Sequence, residues 1–203
     1  KLGAVDVLLC ESTYGDRMHE DVDTRQSLLL DLLKEGIARG GTIMIPAFSL
    51  ERTQEILYEL NQLIEYKQAL PRVPIFLDSP LAIDMTTVYK RYPEYYDEEA
   101  MRLHMVGDDF LDFPGLSVTY TREQSKSLNK TPGPKIVIAG AGMMNGGRIV
   151  HHAFHHLSDP ASTLLIVGYQ AEGTLGRKLY EGAKSVKIFG EYVEVKCAVK
   201  AIG

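Results

Sequence analysis

The sequence contains only two cysteines, Cys10 and Cys197, and both lie in apolar stretches that predict strands. Two isolated cysteines cannot build the disulfide framework on which small secreted proteins depend. We therefore expect a protein of a reducing compartment, and the cytoplasm is its predicted location.

Long hydrophobic runs are also missing. No apolar run approaches the roughly 20 residues that a helix needs to cross a bilayer, so no membrane association is expected. The first residues, Lys1, Leu2 and Gly3, do not form a charged region before an apolar stretch, and no secretory signal is predicted. With 203 residues, 45% of them hydrophobic, the chain suits one domain with a sizeable core.

Positive charge is not in excess. The net charge is −5 at pH 7, which is not typical of a protein that binds nucleic acid through its overall charge. A ligand with a phosphate backbone would therefore have to meet local clusters of basic side chains.

What the sequence does have is a regular alternation of apolar and amphipathic stretches. The apolar stretches predict buried strands at 5–10, 42–45, 74–77, 135–139 and 164–167, a short strand near Val118, and a hairpin of 185–189 with 192–199. Helices are predicted at 24–38, after Ser49, across 81–103 with a break near Pro93, after Thr121, up to about Leu157, and at 174–180. This alternation predicts an α/β fold of one domain, residues 1–203, with a mostly parallel sheet, helices on both faces and a C-terminal hairpin.

Four helix starts carry specific signals. Asp23 is a candidate N-cap of the first helix, with Gln26 three residues later. Ser49 is a candidate N-cap, and Ser79 precedes Pro80, a residue favoured at the first position of a helix. Thr121 is followed three residues later by Gln124, as in a capping box.

Five loops follow predicted strands and are rich in small and hydroxyl side chains. In open α/β sheets, ligands bind beyond the carboxyl ends of the strands, where these loops should meet. We call them the rim loops: 11–15, 46–49, 78–81, 140–144 and 168–174. Backbone N–H groups in such loops can face an anion, but sheets of this class need small residues there in any case. The pattern leaves a ligand-binding rim and ordinary turn chemistry equally open.

Glu11 directly follows an apolar stretch. A carboxylate in such a place is costly unless it is paired or lies in a polar cleft. It could cap the next turn, or it could orient a catalytic histidine from a neighbouring segment.

Several familiar catalytic and cofactor motifs are incomplete or missing. The glycines in 140–147 are spaced G-x-G-x-x-x-G, one residue longer than the dinucleotide fingerprint, and the next strand ends in Gly168-Tyr169 rather than in an acid. Four histidines lie between residues 151 and 156 without the glutamate of H-E-x-x-H, which favours a polar helix face over a zinc site. There is no G-x-S-x-G elbow, so serine nucleophilic catalysis is not expected.

Four segments together resemble a known family. They are Glu-Ser-Thr-Tyr-Gly at 11–15, Pro-Ala-Phe-Ser at 46–49, Ala-Gly-Ala-Gly-Met-Met at 139–144 and Gly-Tyr-Gln-Ala-Glu-Gly-Thr-Leu at 168–175. In this order they are similar to the β-CASP ribonucleases of the metallo-β-lactamase superfamily. That family includes the endonuclease subunit of the pre-mRNA cleavage and polyadenylation factor and its bacterial and archaeal relatives. The resemblance implies a Rossmann-like β-CASP domain.

The resemblance also implies an activity and a second domain that carries the metal ions. In the family, a metallo-β-lactamase domain of the same polypeptide holds two zinc ions that activate a water and clamp the scissile phosphate of RNA, and the β-CASP domain is inserted in it and covers the site. The H-x-H-x-D-H motif of the zinc ligands is absent from this sequence. We therefore expect the chain to hold no zinc and, on its own, to be inactive. Because an inserted domain has neighbouring ends, Lys1 and Gly203 are predicted to lie close together.

The same resemblance suggests site residues. Glu11 matches the family's motif A acid, which orients a histidine that protonates the leaving oxygen; the Ser-Ala-His segment that supplies this histidine would be expected to begin where the sequence ends. The candidates for substrate binding are rim residues and three arginines that could grip phosphates: Ser12, Ser49, Arg52, Ser79, Gly142, Met143, Arg148, Tyr169 and Arg177. Each arginine could equally be an exposed helix charge.

Two other hypotheses stay open. The chain could be a stand-alone Rossmann-like module that binds RNA, a nucleotide or another phosphorylated ligand without catalysis. It could also be a Rossmann-like cofactor enzyme that uses the glycines of 140–147. A homodimer is possible under any of the three hypotheses.

Overall fold

The computed structural model describes residues 3–15 and 22–202. Within them, eight strands alternate with seven α-helices. The strands are β1 (Thr42–Pro46), β2 (Ile75–Leu77), β3 (Leu116–Val118), β4 (Lys135–Ala139), β5 (Thr163–Ile166), β6 (Ser185–Ile188), β7 (Glu191–Glu194) and β8 (Ala198–Ala201). The helices are α1 (Val22–Arg39), α2 (Arg52–Asn61), α3 (Pro80–Arg91), α4 (Glu98–Met105), α5 (Arg122–Leu128), α6 (Arg148–His156) and α7 (Leu175–Tyr180). A π-helical segment, Gln62–Tyr66, continues α2, and a 3-10 turn, Pro93–Tyr95, separates α3 from α4.

Six strands form one parallel sheet in the order β3-β2-β4-β1-β5-β8. The α/β class, the parallel sheet and the hairpin near the C-terminus are therefore confirmed. The predicted second hairpin strand, 192–199, is wrong as a single strand, because β7 pairs with β6 while β8 joins the main sheet beside β5. The chain leaves the hairpin where the amides of Lys196 and Cys197 both donate to the Leu157 carbonyl, at 2.8 and 2.9 Å.

Both faces of the sheet are buried, and alternate residues of the central strands supply the two cores. Ile136 and Ile138 of β4 pack with apolar residues of α1, α2 and α3. Val137 and Ala139 pack on the opposite face with residues of α6, α7 and the hairpin. Burial on both faces explains why these strands are continuously apolar rather than alternating.

The predicted buried strand at 5–10 is wrong. The segment is irregular in the structure, and its apolar side chains face solvent, with Val7 79% and Leu9 94% exposed. A strand needs a neighbour to take its hydrogen bonds, and no strand of the described residues pairs with this segment. The predicted proximity of Lys1 and Gly203 concerns residues outside those that the structure describes.

Two of the four predicted helix starts are confirmed. Asp23 is not a cap, because α1 begins at Val22 and already includes it. The Ser79 hydroxyl accepts a hydrogen bond from the Ala82 amide at 3.4 Å, and Thr121 forms a capping box with Gln124. Ser49 is not a cap, because α2 begins only at Arg52 and is preceded by Glu51. The polypeptide between β1 and α2 is two residues longer than the sequence pattern suggests, which leaves Ser49 in the rim loop.

His156 at the end of α6 gives the fold a predicted sensitivity to mild acid. Burial, followed by electrostatic repulsion from the nearby Lys135, His152 and His155 side chains, lowers the pKa of His156 from 6.5 to about 4. Its contribution to stability is therefore complete above pH 6.5 and is lost as the pH falls towards 4, because the unfolded chain binds the proton first. Allowing for partial exposure, we expect the free energy of unfolding to fall by roughly 2 kcal/mol over this range.

Urea denaturation between pH 7 and pH 4 measures this effect. His156→Gln should remove most of the loss, whereas His104→Gln on the exposed side of α4 should leave it unchanged. Equal pH dependence in the unsubstituted chain and in His156→Gln would contradict the assignment.

Candidate functional site

Four of the five rim loops lie together at one edge of the molecule. They follow β2, β4, β1 and β5, which are neighbours in that order in the parallel sheet. The carboxyl ends of parallel strands share one edge, so loops 78–81, 140–144, 46–49 and 168–174 form a continuous rim.

Direct contacts join these loops in pairs. The hydroxyl oxygens of Ser49 and Ser79 lie 3.4 Å apart across two loops. The Gln170 amide donates to the carbonyl oxygens of Gly142 at 3.0 Å and Gly168 at 3.1 Å, and it is itself buried. The rim is therefore a packed surface rather than a set of independent turns.

Gly142 is at the tightest point of the rim. A Cβ atom placed there would lie 2.8 Å from the ring of Phe48, so the two loops can approach this closely only with glycine. Met143, next to it, accepts a hydrogen bond from the Gly176 amide at 3.2 Å through its carbonyl and is half-buried. These two predicted substrate-binding residues shape the rim through their backbone.

The fifth rim loop, 11–15, touches this rim through aromatic rings. The rings of Tyr14 and Tyr169 meet edge to face with centroids 5.7 Å apart. Within the loop the Gly15 amide donates to the Ser12 carbonyl at 3.1 Å, and the Ser12 side chain is exposed. Tyr169 is thus the contact between the loop of the catalytic candidate and the rim.

Glu11 itself is exposed and caps the turn that follows it. Its carboxylate accepts a hydrogen bond from the Thr13 amide. Hydrogen bonds from the Thr13 side chain and backbone lower the pKa of Glu11, so the group is ionised at neutral pH. The turn-capping interpretation describes this geometry, and the carboxylate still has an open side facing solvent.

The most highly connected polar group at the rim is one that the sequence analysis missed. Asp78, at the end of β2, is fully buried and accepts hydrogen bonds from four side chains. The donors are Arg148 at 2.7 Å, Ser125 at 2.6 Å, His152 at 2.6 Å, and Thr119. Burial alone would raise the pKa of Asp78, but these hydrogen bonds outweigh it and lower the pKa to about 2.

Arg148 belongs to this network. One terminal nitrogen donates to Asp78 and to the Thr119 carbonyl at 2.8 Å, and the other donates to the Tyr120 carbonyl at 2.5 Å. The guanidinium thus fastens α6 to the chain that follows β3. These contacts occupy both terminal nitrogens, and the predicted role of Arg148 in phosphate binding stays a prediction.

The other two predicted arginines form ion pairs within their own helices. Arg52 contacts Glu55 at 2.8 Å, and Arg177 contacts Glu181 at 2.6 Å, both with partly exposed side chains. Exposed pairs of this kind contribute little and exchange readily for another anion. Arg52 could therefore turn to a phosphate at little cost in stability, whereas Arg177 also donates to the Gln170 carbonyl at 3.4 Å.

Comparison with known proteins supports the likeness seen in the sequence. The family model described as Beta-Casp domain matches residues 53–179, which is more than half of the chain. The chain belongs to the Beta-Casp family. The matched residues include rim loops 78–81, 140–144 and 168–174 and the whole Asp78 network.

Curated relatives of this β-CASP chain include a ribonuclease, an RNase J-like protein and a transcription termination factor. Ribonuclease TTHA0252 of Thermus thermophilus is 41% identical over 198 residues, which cover 98% of this chain and 45% of the relative. The RNase J-like protein of Methanocaldococcus jannaschii is 35% identical, covering 98% of this chain and 45% of the relative. Transcription termination factor FttA of Methanosarcina mazei is 31% identical, covering 94% and 30%. The β-CASP chain thus spans less than half the length of these relatives.

The glycine loop of this β-CASP domain is closed by its own backbone. The Gly140 carbonyl accepts the Ile149 amide at 3.0 Å, and the Ala141 amide donates to the Gly146 carbonyl at 3.3 Å. A dinucleotide site needs such amides at the helix start for the pyrophosphate. The geometry of 140–147 therefore disfavours the cofactor-enzyme hypothesis.

The donor groups of the described residues do not fit a metal centre. No three His, Cys, Asp or Glu side chains among them are grouped so that they could hold an ion. The four histidines of α6 face different surroundings: His152 bonds to Asp78, while His151 stacks on Phe189. Nor does the described part of the chain contain a helix long and apolar enough to cross a membrane.

Proposed function

We propose that this chain is the substrate-covering, RNA-binding domain of a metal-dependent ribonuclease. The observation that carries the proposal is the 41% identity to a ribonuclease over nearly the entire chain, together with Beta-Casp membership. The packed rim of small residues supports it, because a chain-like ligand can approach such an edge closely.

Among the described residues, no group of side chains offers the donor set that the zinc ions implied by the family would need. In our proposal a metallo-β-lactamase domain elsewhere in the same polypeptide holds two zinc ions and supplies the activated water. This chain contributes binding, orientation and exclusion of water from one side of the cleft.

Individual rim residues have distinct roles in this proposal. The hydroxyl oxygens of Ser49 and Ser79 lie 3.4 Å apart. Ser79 is buried, so the half-buried Ser49 donates to phosphate or ribose oxygens in this proposal and Ser79 positions it. Gly142 keeps the rim low enough for the RNA backbone to pass Phe48. Glu11, ionised and exposed beside Tyr169, is the positioning carboxylate for a histidine supplied by the other domain.

We expect the purified chain to bind single-stranded RNA without cleaving it and to carry no stoichiometric zinc. Binding is measured by fluorescence anisotropy with a labelled 20-nucleotide RNA at low salt, because phosphate contacts weaken as salt rises. Cleavage is followed on a gel, and zinc is measured by atomic emission after dialysis. A natural full-length protein that contains this domain is the positive control for cleavage.

Three results would count against the proposal. Absence of RNA binding would remove the substrate-binding role. Tightly held zinc would show that the chain has a metal centre of its own. Tight binding of a mononucleotide but not of RNA would instead favour a stand-alone nucleotide-binding module.

A further inference from the structure

A second surface, next to the rim, has no role in the proposal above. Two adjoining cavities of about 520 and 450 Å³ share Gly147 and His151 as lining residues. One lies between α5 and α6, and the other lies between α6, α7 and the β6–β7 hairpin. Together they form a groove across the start of α6, which we call the basic groove. The lining residues Asn145, Gly146 and Gly147 directly follow rim loop 140–144, so the groove continues from the rim.

The charge of the basic groove is opposite to that of the whole chain. Arg122 and Lys126 line one end, and Lys178 and Lys187 line the other. No Asp or Glu is among the described residues that line either cavity, although the chain carries 27 acidic residues and a net charge of −5. None of these four cations forms an ion pair within the described part of the chain. A concave surface with uncompensated cations concentrates positive potential and attracts anions.

His151 lies between the two ends of the groove, and its pKa reflects its burial and the basic side chains around it. Burial, followed by the neighbouring groups His152, His155, Lys126 and Arg122, lowers its pKa. The imidazole is therefore a neutral ring at pH 7, suited to stacking rather than to charge pairing.

An exposed aromatic side chain lies at the hairpin end of the groove. Phe189 is 59% exposed and has a φ of 51°, an uncommon conformation for a bulky residue. Its ring lies against that of His151, with centroids 4.6 Å apart and planes tilted by 34°. His151 thus supports one side of the Phe189 ring, the Phe154 ring lies 5.8 Å from it, and more than half of the Phe189 side chain still faces solvent. Nucleobases stack on aromatic surfaces of this kind in proteins that bind single strands.

We propose that the basic groove binds single-stranded RNA, with phosphates against Arg122, Lys126, Lys178 and Lys187 and a base stacked on Phe189. Separate cations along a groove suit the repeated charge of a polynucleotide, and an aromatic platform adds recognition that a purely anionic partner would not use. The inference rests on the proposed function and deepens it by giving the RNA a path beyond the rim.

Charge-neutral variants test the phosphate contacts. Arg122→Gln/Lys126→Gln and Lys178→Gln/Lys187→Gln should each weaken RNA binding roughly tenfold or more at 0.1 M salt. Each should also reduce the slope of log K against log salt by about 0.7 for every phosphate that the variant no longer neutralises. The matched control is Lys34→Gln/Arg72→Gln, which removes two exposed charges outside the groove and should change neither quantity.

A second pair of variants tests the stacked base. Phe189→Ala should weaken RNA binding about tenfold, and Phe189→Tyr should retain it. Inorganic polyphosphate has no bases. Compared with the unsubstituted chain, the charge variants should bind it less tightly and Phe189→Ala should bind it equally tightly. Thermal unfolding of each variant verifies that the fold is intact.

The outcomes separate this inference from the proposed function. If the unsubstituted chain binds no RNA, the proposed function fails and the inference fails with it. If the chain binds RNA but the groove variants behave like Lys34→Gln/Arg72→Gln, the proposed function stands and the groove assignment is overturned. If polyphosphate and RNA respond alike to every variant, including Phe189→Ala, the groove does not recognise bases.

Discussion

Replacing Asp78 by asparagine is expected to lower the free energy of unfolding by about 3 to 5 kcal/mol, because it breaks a buried ion pair from one side. The substitution leaves the Arg148 guanidinium, whose side chain is only 18% exposed, without its carboxylate. It also turns an amide donor towards side chains that donate to Asp78, including Ser125 and Thr119. A buried donor without an acceptor costs more than a surface contact is worth.

The exposed pair of Lys90 and Asp109 provides a matched control. Its nitrogen and oxygen lie 2.7 Å apart, the same distance as between Arg148 and Asp78, but the Asp109 side chain is 52% exposed. Asp109→Asn should therefore change the free energy of unfolding by less than about 1 kcal/mol. Urea denaturation at pH 7 compares the two variants. Similar small losses in both would show that the Asp78 network contributes little to stability.

The same network predicts a loss of stability in strong acid. The pKa of Asp78 is lowered from 3.8 to about 2 in the folded chain, so its contribution is complete above pH 3.8 and disappears as the pH falls towards 2. The free energy of unfolding should therefore fall by roughly 2 kcal/mol between these pH values. The Asp78→Asn variant, which has no carboxylate to protonate at this position, should not show this fall. This pH range lies below the range from 6.5 to 4 over which protonation of His156 lowers the stability of the fold.

The Asp78 network connects stability to function in the proposed scheme. Arg148 and Ser125 both line the basic groove, and both donate to the same carboxylate. Asp78 follows β2, Ser125 lies on α5, and Arg148 begins α6. One buried anion therefore sets the relative positions of the rim and of one wall of the groove.

Asp78 could have been found from the sequence by reasoning that was applied only to Glu11. Both carboxylates directly follow an apolar stretch, where an acid must be paired or placed in a polar cleft. Asp78 is buried and paired, whereas Glu11 is exposed and caps a turn. What the sequence could not supply was the partners, since Arg148 and His152 lie 70 and 74 residues further along the chain.

Local patterns predicted local structure well, and pairings with distant segments less well. The caps at Ser79 and Thr121 and the central strands such as β4 depend on neighbouring residues or on burial, and these were predicted correctly. The segment 5–10 has the composition of a buried strand, but a strand also requires a partner edge that composition does not specify. The separation of β8 from the hairpin likewise depends on the distant Leu157 carbonyl.

Replacing Gly147 by alanine is the second substitution expected to have a large effect, with a loss of about 3 kcal/mol in the free energy of unfolding. Gly147 has φ 75° and ψ −176°, a region that essentially only glycine occupies. A Cβ atom there would also lie 2.3 Å from the Gly140 carbonyl oxygen, which is backbone and cannot rotate away. That same oxygen accepts the Ile149 amide at the start of α6, so relief of the clash would break this hydrogen bond.

Gly146→Ala provides the control one residue away. No atom lies within 4 Å of a Cβ placed at Gly146, and its φ is outside the left-handed region. This variant should change the free energy of unfolding by less than about 1 kcal/mol in either direction. Because Gly147 lines both cavities of the basic groove, Gly147→Ala should also weaken RNA binding where the fold persists. Equal stability of the two variants would mean that loop 140–147 can adjust to a side chain at position 147. The close packing of Gly147 against Gly140 would then have no role in holding the start of α6 beside the rim.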